Sequence, residues 1–133
     1  MPINLKIDAG RQRVDAVVEG EVTAADAIAA FESLVRSPGL QAGFQLLSDH
    51  RKLTRGFSQD EVNRLTEWME GHIPALGPTR WAAVVSRPTA YGLMRVLGAR
   101  AKLAVGLEVG VFTDLEAGEE WLATPQPGPG TRQ

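Results

Sequence analysis

Apolar and polar residues alternate at the start of the chain, with Ile3, Leu5 and Ile7 set between Asn4, Lys6 and Asp8. A period of two puts the two sets on opposite faces of a strand. The segment therefore predicts a β-strand with one wet face, suited to a sheet edge. The turn Asp8-Ala9-Gly10-Arg11-Gln12 follows, with Gly10 expected to take the positive φ that a tight turn asks for. A second strand over residues 14–19 then completes an antiparallel hairpin and stops at Gly20.

From Thr23 the period changes. Ile28, Phe31, Leu34 and Val35 share one helical face, and Ala24, Ala25, Ala27, Ala29 and Ala30 supply helix propensity before Ser37-Pro38-Gly39 ends the segment. Phe44, Leu46 and Leu47 predict a third strand ending at Asp49, with a polar loop over residues 50–57. Val62, Leu65 and Met69, with Trp68 beside them, mark a second helix that stops between Gly71 and Pro74. After Arg80, the unbroken run Trp81-Ala82-Ala83-Val84-Val85 reads as a strand buried on both faces. Pro88 suits the first turn of a third helix, where its missing N–H removes no bond; Leu93, Met94, Leu97, Ala101 and Ala104 face inward from it. Leu107, Val109 and Val111 alternate as a fifth strand, and a last helix from Thr113 sets Leu115, Gly118, Trp121 and Leu122 against the core.

Three capping boxes punctuate this pattern: Thr23 with Asp26, Ser58 with Glu61, and Thr113 with Glu116. In each, the hydroxyl takes an orphan amide of the first turn and the acid reaches back to the cap. The order β-β-α-β-α-β-α-β-α predicts a single α/β domain over residues 1–123. It holds a mixed five-stranded sheet and four helices, parallel wherever a helix joins two strands. Residues 124–133 hold three prolines and two glycines without a large apolar anchor, and are expected to be a flexible tail.

Composition narrows the function. At 133 residues and 44% hydrophobic content the chain can bury one core. A formal charge of −2 with mixed signs argues against nucleic-acid binding. Without cysteine there is no thiol chemistry or disulfide, and two histidines, His50 and His72, cannot build a histidine-rich metal site. No cofactor or metal is expected. The first residues show no basic leader with an apolar run, and no stretch approaches the ~20 apolar residues of a membrane span, so a cytoplasmic protein is the expectation.

Several segments together resemble the SpoIIAA-like proteins, a branch of the STAS (anti-sigma-factor antagonist) fold. They are Val18-Glu19-Gly20-Glu21-Val22-Thr23, Gly43-Phe44 leading to Leu47-Ser48-Asp49, Arg80-Trp81-Ala82-Ala83-Val84-Val85, Tyr91-Gly92-Leu93-Met94-Arg95, and Val111-Phe112-Thr113-Asp114 with Trp121-Leu122. The resemblance implies a STAS-like fold and a non-catalytic regulatory or protein-interaction domain. In the wider group a serine at the start of the second helix is phosphorylated to control partner binding. Ser58 holds that place here, within Phe57-Ser58-Gln59-Asp60 rather than the group's Asp-Ser-Ser-Gly. The fold also looks like that of lipid-carrying CRAL-TRIO domains, which implies a carrier or sensor of a small apolar or acyl ligand.

Two surfaces collect the candidate residues. Asp49, His50, Arg51, Lys52, Thr54, Arg55 and Ser58 lie beyond the end of a presumed parallel strand, where open α/β sheets bind ligands, and form the expected partner surface. Ser86, Arg87, Thr89, Tyr91 and Arg95 flank the start of the third helix and form an expected ligand or anion site. Each has a plainer reading, as helix caps and a solvated loop. Asp49, His50 and Ser86 supply the residue types of a hydrolytic triad, but no Gly-x-Ser-x-Gly elbow is present, and no enzyme activity is expected. The third helix is both basic and apolar, through Arg95, Arg100 and Lys102 beside Val96, Leu97 and Leu103, which suits core burial or a homodimer face.

Overall fold

The N-terminal alternation builds a hairpin. In a computed structural model of the chain, β1 (Ile3–Asp8) pairs antiparallel with β2 (Arg13–Gly20), Leu5 opposite Ala16 and Ile7 opposite Val14. The further elements are α1 (Ala24–Val35), β3 (Gln45–Leu53), α2 (Gln59–His72), β4 (Arg80–Val84), α3 (Pro88–Val105), β5 (Glu108–Phe112) and α4 (Leu115–Ala123). The structure describes residues 3–41, 43–72, 79–105 and 107–124 and, within α3, the side chains of Gly92, residues 94–100 and Lys102. The tail expected over 124–133 lies, beyond Thr124, outside the described residues.

The five strands stand in sequential order, and β2 to β5 are all parallel. A sequential order joined by crossovers of one hand sends every connecting helix to the same face. Accordingly α1 packs on α2 and α2 on α3, while α4 lies alone on the opposite face against β3, β4 and β5. Alternation along β4 then feeds two cores. Trp81, Ala83 and Val85, just past its end, meet Val62, Leu65, Met69, Met94 and Leu97 under the three helices. Ala82 and Val84 meet Leu47 and Leu122 under α4. Cover on both sides is why β4 is apolar without a break: Ala82, Ala83 and Val84 are 0% exposed. The strands far from α4 keep one wet face, with Asn4, Lys6 and Val17 exposed on β1 and β2.

Four local readings need correction. The positive φ of the hairpin turn falls at Gln12 (53°), not Gly10; the turn is held instead by the Asp8 carboxylate, which accepts from the Arg11 amide at 3.1 Å. Leu107 is buried but precedes β5. The cap of α4 is Asp114, whose carboxylate accepts from the Ala117 amide at 2.8 Å; a carboxylate one residue nearer the helix displaces Thr113 from the role. The third strand continues past Asp49 to Leu53, so residues 50–53 are strand rather than loop. Their backbone is claimed by β2, with Glu19 paired to Lys52 and Gly20 to Leu53.

Candidate functional site: an apolar cavity beneath a bulged strand

The extension of β3 shapes the site. Val17 pairs with Asp49 and Glu19 with Lys52, so two steps along β2 are matched by three along β3. That is a β-bulge in a parallel pair, a rare setting for a device that re-aims side chains. Up to the bulge, alternation turns Leu46, Ser48 and His50 towards the helices. After it, Leu53 faces the same way, three residues on rather than two. Asp49, Arg51 and Lys52 are left away from this face.

Beneath that face lies a cavity of about 90 Å³, measured to the centre of a water-sized sphere and bounded by β1 to β4 and α1 to α3. Holding a single water takes roughly 10–15 Å³ on this measure, so the space suits a molecule of several heavy atoms. Its walls include Val18, Phe31, Phe57, Leu65, Met69 and Trp81, and among the described residues no Lys, Arg, Asp or Glu lines it. Two of the α1 alanines, Ala27 and Ala30, face it, and their small side chains are what leave the gap unfilled. Leu5 and Gly56 line the cavity and are also exposed, so it reaches the surface at β1 and before α2.

Among the described residues, the polar side chains of Ser48 and His50 interrupt the apolar wall. The Trp81 indole donates from Nε1 to Ser48 Oγ at 2.7 Å, and Ser48 Oγ lies 2.7 Å from His50 Nε2. Burial among apolar groups lowers the His50 pKa to about 4, against a smaller opposing pull from Asp49, so the ring is neutral at pH 7.

The expected partner surface divides at the bulge. His50 turns inward, while Asp49 and Arg51 close on each other: Arg51 Nε and Nη2 donate to Asp49 at 2.9 and 2.8 Å, and the Arg51 amide adds a third bond at 3.1 Å. This bonding holds the Asp49 pKa below its ordinary value and raises that of Arg51. Arg55 turns to Glu61, with Nη1 and Nη2 donating at 3.0 and 2.8 Å. The predicted capping box of α2 is formed, Ser58 Oγ accepting from the Glu61 amide at 3.2 Å and Glu61 Oε1 accepting from the Ser58 amide at 3.1 Å. Glu61 Oε2 also accepts from the Ala24 amide at 3.0 Å, so one carboxylate caps both α1 and α2. Lys52, Thr54 and Ser58 remain exposed.

The second expected surface abuts the first. Ser86 Oγ is 3.5 Å from the Arg51 carbonyl, and Arg87 Nη2 donates to the Leu53 carbonyl at 3.0 Å, clamping the end of β3. Arg95 is exposed on α3, and the side chains of Thr89 and Tyr91 lie outside those described. The triad grouping does not assemble: Asp49 is bound to Arg51, His50 to Ser48, and Ser86 lies against a backbone carbonyl. On α3, Met94 and Leu97 are buried and Val96 is 46% exposed.

Sequence reasoning passed over Ser48, Trp81, Ala27 and Ala30 as site residues. The one available signal was that Ser48 and His50 extend the inward face begun by Leu46, placing two polar groups where an apolar series was due. Among the described residues no group of three or more His, Asp or Glu side chains is placed to hold a metal ion, and no helix is long and apolar enough to cross a membrane.

A five-stranded mixed sheet with three helices on one face and a fourth behind it is a SpoIIAA-like α/β fold. Among solved structures the chain is similar to an uncharacterized protein of the DUF3478 family from Shewanella loihica, whose fold is SpoIIAA-like. The TM-score is 0.59 at 16% identity, over 91% of this chain and 92% of that one. At that identity the likeness speaks for the fold alone. No protein-family model matches the chain, and no curated protein matches it.

Proposed function

We propose that the chain is a non-catalytic binding domain that holds a small apolar molecule in the cavity between the sheet and helices α1 and α2, as a carrier or a sensor. The observation that carries this reading is the cavity itself, roomy enough for several heavy atoms and lined, among the described residues, without a charged group. Native cores close such gaps, because each unfilled volume forfeits dispersion contacts. An apolar space between a sheet and its covering helices, kept open by alanines, is the kind of concave, mostly apolar site that holds a small ligand. Titration with 1-hexene, followed through tryptophan fluorescence, tests it. Saturable binding is expected, together with its loss in Ala27→Leu and Ala30→Leu. Those variants should melt at or above the wild-type temperature, since they fill space; filling commonly adds about 1 kcal/mol. Binding that survives both substitutions overturns the reading.

A protein-docking role has support of its own in Arg51, Lys52, Thr54 and Ser58, exposed side by side near the bulge and the start of α2. Its strength is limited by the Asp49 carboxylate, which already neutralises Arg51. Affinity capture with wild-type protein and with the Arg51→Ala/Lys52→Ala pair checks it: a partner retained by both speaks against this surface. Arg55 is unsuited to that test because it braces Glu61.

A further inference from the structure

The cavity has a polar end whose chemistry can be read from one chain of hydrogen bonds. Trp81 Nε1 can only donate, and it donates to Ser48 Oγ. Ser48 is 3% exposed, and the remaining hydrogen-bonding neighbour of its hydroxyl among the described residues is His50 Nε2, so its proton goes to that nitrogen; the reverse assignment would bury a hydroxyl proton with no acceptor. With Nε2 accepting, a neutral imidazole carries its proton on Nδ1. His50 Nδ1 has no hydrogen-bond partner among the described residues. Nor is it a sealed atom: among the described residues the sealed polar side-chain atom lacking a partner is Trp68 Nε1. His50 lines the cavity, so an unpaired donor is carried by a residue of its otherwise apolar wall.

We infer that His50 Nδ1–H is the recognition donor of the cavity, and that the ligand is a small neutral carbonyl compound (a ketone, aldehyde or ester) whose oxygen accepts from it while its alkyl part lies against Leu65 and Met69. This rests on the cavity being a ligand site. Charge decides between a carbonyl and a carboxylate. A carboxylate would be buried beside a neutral ring with no cation among the described lining residues, and an unpaired buried charge is far costlier than a neutral acceptor with one good bond. A plain hydrocarbon would leave the Nδ1 donor unpaired. The Ser48 and Trp81 pair acts as a positioning device, holding the ring in one tautomer.

The test compares 2-hexanone, 1-hexene and hexanoate at pH 7 on the full chain, wild type and His50→Leu. The ketone-to-alkene affinity ratio is expected to fall about tenfold in His50→Leu, the size of one net hydrogen bond. Hexanoate is expected to bind more weakly than the ketone to the wild type. An unchanged ratio, or hexanoate binding more tightly than the ketone, overturns the inference while leaving the cavity reading intact. Failure of all three ligands to bind the wild type overturns both. A measurement on unmutated protein guards against a variant that folds poorly. Long-range ¹H–¹⁵N spectra of the imidazole should show a neutral ring protonated on Nδ1, with that resonance moving on addition of 2-hexanone. A proton on Nε2, or an Nδ1 resonance unmoved at saturation, also overturns it.

Discussion

Glu61 does the work of several residues at once. Its two oxygens accept from both Arg55 terminal nitrogens and from the amides of Ser58 and Ala24, which draws its pKa down to about 2. The Arg55 bonds are the largest cause and the Ser58 amide the next. Glu61→Gln keeps the shape but offers one acceptor oxygen in place of two, and sets an NH₂ against a backbone N–H. Loss of about 1–2 kcal/mol is expected, the range for a lost cap with a charge-assisted bond, read as a lower urea midpoint at unchanged slope. Ser58→Ala removes one bond of the same box and should cost less, about 1 kcal/mol. The Ser58–Glu61 pairing was legible in the sequence because both partners sit three residues apart. The reach of Glu61 to Ala24 was not, because those residues are 37 positions apart and only the packing of α1 on α2 joins them.

Among the elements, those set by local pattern were the easiest to read. The β1–β2 hairpin, the doubly buried β4 and the order of strands and helices all follow from period and punctuation, and the structure reproduces them. Errors arose where two local signals competed. At α4 both Thr113 and Asp114 are good caps, and only geometry shows that Asp114 holds the Ala117 amide. Asp114→Ala is therefore expected to destabilise by about 1 kcal/mol, and Thr113→Val by no more than about 0.5 kcal/mol, in thermal or urea unfolding. At β3 the polar series His50, Arg51, Lys52 resembled a loop. Strand pairing overrode it: backbone groups there bond to β2 and the Arg51 guanidinium pairs with Asp49. A bulge is a property of two paired strands, so neither sequence segment alone could disclose it.

At the scale of the whole molecule the cavity was the least legible feature. The alanines of α1 counted as helix formers, and only assembly of α1 over the sheet turns Ala27 and Ala30 into the walls of a space. The same assembly makes stability depend on pH through His50. The folded ring has a pKa of about 4 against an ordinary 6.5, so above pH 6.5 neither state is protonated and nothing is lost. As pH falls below 6.5 the unfolded chain takes up the proton first, and the folded state loses stability at up to about 1.4 kcal/mol per pH unit. The loss levels off near pH 4 at roughly 3 kcal/mol, the largest this one group can exert. Glu61 then acts lower down. Its folded pKa of about 2 lies below the ordinary 4.5, so the stability it lends is present above pH 4.5 and is lost as pH falls towards 2. Asp49, held below 3.8 by Arg51, adds to that lower limb. Urea midpoints between pH 8 and 3 should therefore hold steady to about pH 6.5 and decline in two limbs. His50→Leu should flatten the upper limb and leave the lower one in place. A wild-type midpoint that stays level from pH 6.5 to 4.5 would place the His50 ring in water, and with it remove the fixed Nδ1 donor from the cavity wall.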